Sequence, residues 1–474
     1  MAACVGVAVL AAVLRVFDFR QLADYGEGTL LPMLARLDRE SPSPAWLDAP
    51  PYTLTSYGPG YYRVVRAVSL VLPWPHSLIP GRLVSLAATL ATAGLVAFAV
   101  GRKSRSGLLG AGAAVAYLAS PVVQAWGTVH RVDPLATLLA VAAYVLLAGR
   151  GRWTVPAAAA CVVLGSLVKQ NVALTALPLA VFLLVDRRPR AAVTLVGLVA
   201  VLGVAVWLTL DHLSGGFLHR TAVQANLGRL FWRQAFWAGH DFLASPLGLV
   251  AALAVGLRLV DRPAEWSRSV YAVGLLVATA IATFLSAKEG ASPSYFLEAS
   301  ALAAIVIGTE GLWPAWSIHP GRTVAVLLVA LAAALAPEMR FIRSHGLRLP
   351  TEPYCGKLIA DRIGPGQGRL ILADGQHLAA VMQAGWVPLL NDSFLQRLLV
   401  DHGRMSPQAT VQAIDSGRVA WLVLKRPIEE HLEQVGRVSQ KWCPAVLAAM
   451  KRRFVLDRAL SAEFVYIYRP AQDR

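Results

Sequence analysis

Charge is scarce in this sequence. Only 15% of its 474 residues are Asp, Glu, Lys or Arg, against 56% that are hydrophobic. The short polar–apolar alternation of a soluble sheet is also missing, because the apolar residues come in successive long runs. That pattern excludes an ordinary water-soluble protein and predicts a polytopic α-helical membrane protein. Acidic residues are scarcest, 28 against 44 Lys and Arg, which leaves a formal charge of +16. A nucleic-acid partner would require a basic stripe interleaved with exposed aromatics. Here the basic residues sit between apolar runs, so lipid headgroups and topology account for them and no nucleic acid is expected. Cysteine is rare as well, at four residues. Cys4 and Cys161 fall inside apolar runs, where a thiol behaves as a small hydrophobe. Cys355 and Cys443 fall outside them, in a compartment that permits oxidation, and are expected to form a disulfide.

The first apolar run, Ala2 to Phe17, lacks the basic flank and the small-residue cleavage site of a signal peptide, so it reads as a retained span. Further runs cover about 81–100, 108–126, 133–148, 154–168, 172–185, 191–210, 243–257, 269–286, 294–312 and 321–337, about eleven spans in all. Basic residues recur in alternate connections: Arg102, Lys103 and Arg105; Arg150 and Arg152; Arg187, Arg188 and Arg190; Arg258, Arg262 and Arg268. Those connections are expected in the cytoplasm. The opposite face then receives 18–80, 127–132, the Lys169 turn, 211–242, 287–293 and everything after about 338.

Every chemically suggestive cluster falls on that outer face. Asp24 and Glu27 are spaced i, i+3, so on a helical turn both carboxylates point one way, suited either to a metal or to a base and its orienting partner. The same pair also suits a solvated cap. An aromatic, Gly/Pro-stiffened turn, Tyr57 to Tyr62, leads into Arg63 to Leu72, which is too short and too charged to span and is expected to lie along the interface. His130, Arg131 and Asp133 stand where one span ends and the next begins. Pro134 suits a first helical turn, so Asp133 reads equally well as a helix cap. Lys169, Gln170 and Asn171 interrupt what would otherwise be one apolar stretch from Val155 to Val185. Polar groups at such a break must be satisfied by protein, water or ligand. The stretch Leu213 to Phe242 alternates apolar and basic residues as an interfacial helix would, with Phe217, Leu227, Leu230, Phe231 and Trp237 toward lipid and Arg220, Arg229 and Arg233 toward phosphates. Lys288 and Tyr295 flank the last polar junction, and both carry hydrogen-bond donors.

Taken in order, these parts resemble the GT-C superfamily of integral-membrane glycosyltransferases, and within it the bacterial family-39-like branch of aminoarabinose transferases and protein mannosyltransferases. The parts are the acidic first-loop motif (Asp24, Glu27), the Tyr-x-Pro turn (Tyr57, Pro59), Arg82, HRVDPLA, SLVKQ and the Lys288 to Tyr295 segment with Leu297, covering residues 1 to about 340. The resemblance implies a polyprenyl-phosphate-sugar donor and a glycan, lipid or protein acceptor. It gives the acceptor proton, or a divalent metal, to the first-loop carboxylates, and the leaving phosphate to basic and tyrosyl groups. Asp24 and Glu27 are thus the catalytic candidates. Tyr57, His130, Arg131, Asp133, Lys169, Gln170, Lys288 and Tyr295 are the substrate-binding ones. The separation of Asp24 from Glu27 and the single proline of the Tyr57 turn depart from the protein mannosyltransferase pattern. A lipid or polysaccharide transporter or flippase, and a non-catalytic envelope assembly protein, are the competing classes. A transporter, however, would place its ionisable residues near mid-membrane.

After Pro337 the apolar runs shorten to strand length. RLILADG, VAWLVLKRP and EFVYIYRP read as strands, with helices near Pro407–Ser416 and Pro444–Arg453, predicting a C-terminal extracytoplasmic α/β domain over 341–474 beside a transmembrane domain over 1–340.

Overall fold

The computed structural model describes residues 1–18, 24–72, 77–149, 151–226, 228–261, 269–312, 319–345, 354–437, 440–460 and 464–471. Arg150, Leu227, Arg262 and Arg268, and the 19–23 part of the first loop, lie outside them, as do the side chains of Arg258 and Cys355. The chain forms two compact units: one of 1–16, 82–207 and 229–348, the other of 17–81, 208–228 and 349–474.

The first unit is helical. Each of the eleven apolar runs contains helix, from Ala2–Val16 to Pro320–His345. Two helices, Ile79–Ser104 and Pro189–Leu213, are long and apolar enough to cross a bilayer alone, and the bent pair Trp232–Ala244 and Pro246–Leu257 makes a third if it is one span. The helix Leu297–Val306 is apolar on every side except at Glu298 and is buried throughout, as an all-round apolar helix must be. The breaks between helices have local causes. Ser120 accepts a hydrogen bond from Val123 N (3.4 Å) ahead of Pro121, which starts a new helix after 107–118. Lys169, in extended conformation (φ −145°), ends the helix Thr154–Val168 before a tight turn, Gln170–Thr175.

The second unit is built on a five-stranded sheet: β1 (Leu370–Ala373), β2 (Val387–Pro388), β3 (Val419–Leu424), β4 (Phe454–Leu460) and β5 (Val465–Pro470), in the order β2-β1-β3-β5-β4. β1 runs parallel to both β2 and β3, and β5 runs antiparallel to β3 and β4. β1 is covered on both faces, so its residues LILA are apolar without alternation. β4 is an exposed edge whose Asp457 pairs with Arg362 and Arg469, charges that discourage pairing with another chain. The three strands expected from sequence are present as β1, β3 and β5, with helices Gln408–Asp415 and Pro444–Arg453.

The first loop joins this sheet. Tyr52 N donates to Leu389 O (2.8 Å) beyond β2. Buried Asn391 accepts from Leu54 N (2.7 Å) and donates to Thr29 O (2.9 Å) and Leu54 O (2.8 Å). The helix Tyr25–Leu37 lies on the turn after β1, where Gly28 approaches the Gly375 carbonyl so closely that a Cβ would collide with it.

Two expectations are corrected here. Leu213 to Phe242 is not one interfacial helix: Phe217 is fully buried against Trp46 (ring centroids 5.6 Å), Arg220 pairs with Asp48 (3.4 Å), and a separate helix, Trp232–Ala244, exposes Trp232, Phe236 and Trp237. Burial of Phe217 gains more than lipid contact would, because a close-packed partner is already in place. Cys443 is a free, buried thiol that packs as a small hydrophobe at the start of Pro444–Arg453, not a disulfide partner.

Candidate functional site

In the helical unit the polar groups converge on Asp133. Val132 occupies the cap position without a side-chain bond, so the cap reading of Asp133 fails. Its carboxylate instead accepts from Lys169 Nζ (2.6 Å) and Ser294 Oγ (2.7 Å) through Oδ1, with Arg131 Nε 3.5 Å from Oδ2. The packing of Asp133–Leu147 on Thr154–Val168 brings in the Lys169 turn, and the turn Pro293–Phe296 delivers Ser294 and Tyr295. The Lys169 ammonium lies 4.1 Å from the Tyr295 ring centroid, and the Arg131 guanidinium lies 5.3 Å from that of Trp126. His130 is fully buried beside them, and Gln170 opens the turn after Lys169. Lys288 is positioned by its backbone: residues 229–231 run antiparallel to 287–289, with Phe231 N donating to Ala287 O (2.6 Å) and Glu289 N to Arg229 O (2.9 Å). Burial pushes the Lys288 ammonium down to about 8, and the charge of Lys169 adds to the push.

A cavity of about 290 Å³, counting space that opens to the surface, is lined by Asp133, Thr137, Lys169, Asn171, Ser294, Tyr295 and Glu298. A second, of about 310 Å³, shares Asn171, Tyr295 and Glu298. Arg131, Lys169 and Lys288 give the cluster fixed N–H donors that a phosphate could accept from. Sequence reasoning missed Ser294 and Glu298. Glu298 accepts from Tyr144 Oη (2.8 Å) and Thr175 Oγ1 (3.1 Å). Its signal was present, as a carboxylate one turn into an apolar run.

Asp24 and Glu27 belong to the other unit. Asp24 caps Tyr25–Leu37, its Oδ2 accepting from Gly26 N (2.8 Å), while Glu27 Oε2 accepts from Asp24 N (3.1 Å), a reciprocal capping box. Glu27 is only 1% exposed, so this is no solvated cap. Its bond holds the Asp24 backbone, while the Asp24 carboxylate is held by Gly26 N. Between them, Tyr25 Oη donates to Asp392 Oδ1 (2.9 Å) and accepts from Phe394 N (3.1 Å); burial and the Asp392 charge hold its hydroxyl well above the usual phenol range. Tyr57 stands just before Pro59–Val71, its N–H on Thr55 Oγ1 (3.2 Å). Each first-loop carboxylate already gives an oxygen to the cap, and among the described residues no group of three His, Cys, Asp or Glu is placed to hold an ion.

The chain is therefore a helical membrane protein with a buried cationic cluster in one unit and an oriented carboxylate pair on an α/β unit. No family model and no curated protein sequence matches it. Among solved structures it is similar to ArnT from Cupriavidus metallidurans bound to undecaprenyl phosphate, at 14% identity and TM-score 0.61, over 98% of this chain and 97% of that one. It is also similar to the oligosaccharyltransferase AglB from Archaeoglobus fulgidus in complex with an inhibitory peptide and a dolichol-phosphate, at 11% identity and TM-score 0.52, over 99% of this chain and 74% of that one. A structure of the Archaeoglobus enzyme with Zn and sulfate matches at 13% identity and TM-score 0.52, over 95% and 71%. The fold is that of the GT-C glycosyltransferases, as the order of sequence parts implied.

Proposed function

We propose that this protein transfers a sugar from a polyprenyl-phosphate-linked donor to an acceptor on the outer face of the cytoplasmic membrane. The observation that carries the reading is the fold likeness over nearly the full length of ArnT, combined with a buried Lys169 held by Asp133 and Ser294. In the reaction the acceptor oxygen or nitrogen attacks the sugar C1, the C1–O bond to phosphate breaks, and the electron pair leaves on the phosphate. Lys169, Arg131 and Lys288 stabilise that developing charge, so no strong general acid is needed. Asp24 takes the acceptor proton, and Glu27 orients it. His130, Gln170 and Tyr295 in the helical unit, and Tyr57 in the α/β unit, are further substrate-binding candidates in this reading. About eleven spans, basic connections in the cytoplasm, residues 1–340 as the transferase domain and 341–474 as an extracytoplasmic domain complete it.

The test is purified protein in nanodiscs with a polyprenyl-phosphate sugar, monitored by mass spectrometry for the freed polyprenyl phosphate. Release by wild type and its loss in Asp24→Asn support the proposal. Movement of intact donor between leaflets without bond cleavage would mean a flippase, and neither event would mean an assembly protein.

A further inference from the structure

The α/β unit holds two lysines whose surroundings have nothing to do with folding a sheet. Lys425 follows β3 directly, and Lys441 precedes the buried Trp442. A partly buried ammonium normally finds a carboxylate or carbonyl oxygen, because an unpaired charge out of water is costly. Among the described residues neither lysine does so, and both side chains stay partly open to water. The Lys441 ammonium lies 3.9 Å from the Tyr25 ring centroid, and that of Lys425 lies 5.7 Å from the ring of Phe464. A ring face attracts a cation but takes none of its three N–H donors.

The carboxylates around them are already committed. Asp374, directly after β1, accepts from Trp442 Nε1 (3.0 Å) and from the Lys425 backbone N–H (2.7 Å), with His431 Nε2 at 3.6 Å. Asp392 accepts from Tyr25 Oη and Leu395 N. Burial pushes the Lys441 ammonium down; Asp374, Asp24 and Asp392 offset this in part, while the like charge of Lys425 adds to it. Lys441 therefore feels the charge of Lys425, and Asp24 feels that of Lys441.

Topology makes the second, independent argument. β1 sits between β2 and β3 and is parallel to both, so the connection from β1 runs to one side and the next, from β2, returns past β1 to the other. In open α/β sheets, ligands bind outside the carboxyl ends of the strands at such a switch point. The loops there are Asp374 after β1 and Lys425 after β3, with Lys441 held on Tyr25.

We infer that Lys425 and Lys441 form an anion-binding subsite at the carboxyl ends of β1 and β3, which takes a phosphate ester or carboxylate group of the acceptor. The anion supplies the oxygen acceptors that the protein withholds from these ammonium groups, and it presents the acceptor beside Asp24. Assignment of the anion to the acceptor rests on the transferase proposed above; the anion site itself does not.

Pyridoxal phosphate tests the site without a variant, since its phosphate seeks an anion site while its aldehyde condenses with a lysine amine, losing water, to an imine that borohydride reduces to a stable amine. Full-length protein in phosphatidylcholine nanodiscs is labelled and mapped by peptide mass spectrometry, with exposed Lys451 as the reference. Lys441 or Lys425 should label faster than Lys451, and inorganic phosphate should slow that labelling about tenfold, the equivalent of one charge-assisted hydrogen bond. Protection on replacing some phosphatidylcholine with phosphatidic acid would identify a lipid phosphate as the source; protection by inorganic phosphate alone would identify a soluble one. Labelling of both lysines no faster than Lys451, or unaffected by either anion, overturns the inference. Lys425→Arg should retain protection of Lys441 and Lys425→Met should lose it, whereas a merely structural lysine would show the same protection in both. None of these readouts requires sugar transfer, so failure of the transferase assay would leave them interpretable.

Discussion

Removing one partner of the Asp133–Lys169 pair and then both separates its structural cost from its chemical use. The side chains are 2% and 10% exposed. Lys169→Met leaves a buried carboxylate with only the Ser294 hydroxyl and the longer Arg131 contact. Breaking a buried pair on one side costs about 3–5 kcal/mol, and the remaining Arg131 puts this variant near the lower end, about 3 kcal/mol. Asp133→Asn leaves an ammonium with the Tyr295 ring in place of its anion, at similar cost. The double variant removes both charges of the close pair and costs in addition only the longer Arg131 contact, so it should lose about 1–2 kcal/mol. The coupling energy, the shortfall of the double loss from the summed single losses, is then about 4 kcal/mol, at or above the upper end of that seen for residues in contact. Unfolding in mixed micelles followed by tryptophan fluorescence measures it. Sugar transfer should not recover in the double variant, because the phosphate has lost Lys169. Additive destabilisation would refute the pairing argument, and a double variant that regains turnover would remove Lys169 from phosphate binding.

Other outcomes follow from the same geometry. Asp24→Asn keeps a capping oxygen, so folding should change by a few tenths of a kcal/mol while transfer is lost; wild-type turnover by this variant would sink the assignment, and Glu27→Gln should be milder. Lys288 is uncharged above its pKa of about 8, so donor binding that needs its ammonium should be full below pH 8 and fall about tenfold per unit above it, a dependence that Lys288→Arg should abolish; a flat profile in wild type would remove Lys288 from the phosphate. Asn391→Leu strands the Leu54 N–H and two carbonyls and should cost about 3 kcal/mol or more, seen as earlier proteolysis within 24–57; unchanged proteolysis would mean that this loop is held elsewhere. Single-cysteine labelling in a background without the native cysteines should find Ser104 and Pro189 cytoplasmic and Ser292 and Gly375 outside, and cytoplasmic labelling at Gly375 would reverse the topology.

Much of this protein is legible in its sequence because apolar periodicity and helix breaks are local signals. The eleven helical runs, the interruption at Lys169, β1, β3 and β5, and the ordered parts that resemble GT-C transferases could all be read without coordinates. The same local reasoning could not rank two uses of one side chain. Asp24 and Glu27 look alike as a cap or as a catalytic pair, and the structure shows a reciprocal cap in which Glu27 is buried and accepts from the Asp24 backbone N–H. Asp133 looks like a cap and is instead the anchor of Lys169 and Ser294, residues 36 and 161 positions away. Leu213 to Phe242 has amphipathic spacing, yet Phe217 packs onto Trp46. Likewise Lys425, Lys441 and Tyr25 are unremarkable until β1 is placed between β2 and β3. Sequence determined which segments are helix or strand, since hydrophobic spacing and breaks act over a few residues. Tertiary structure decided which charges are paired, oriented or left with unused donors, because hydrogen bonds and ion pairs act over a few ångströms between residues that only the fold brings together.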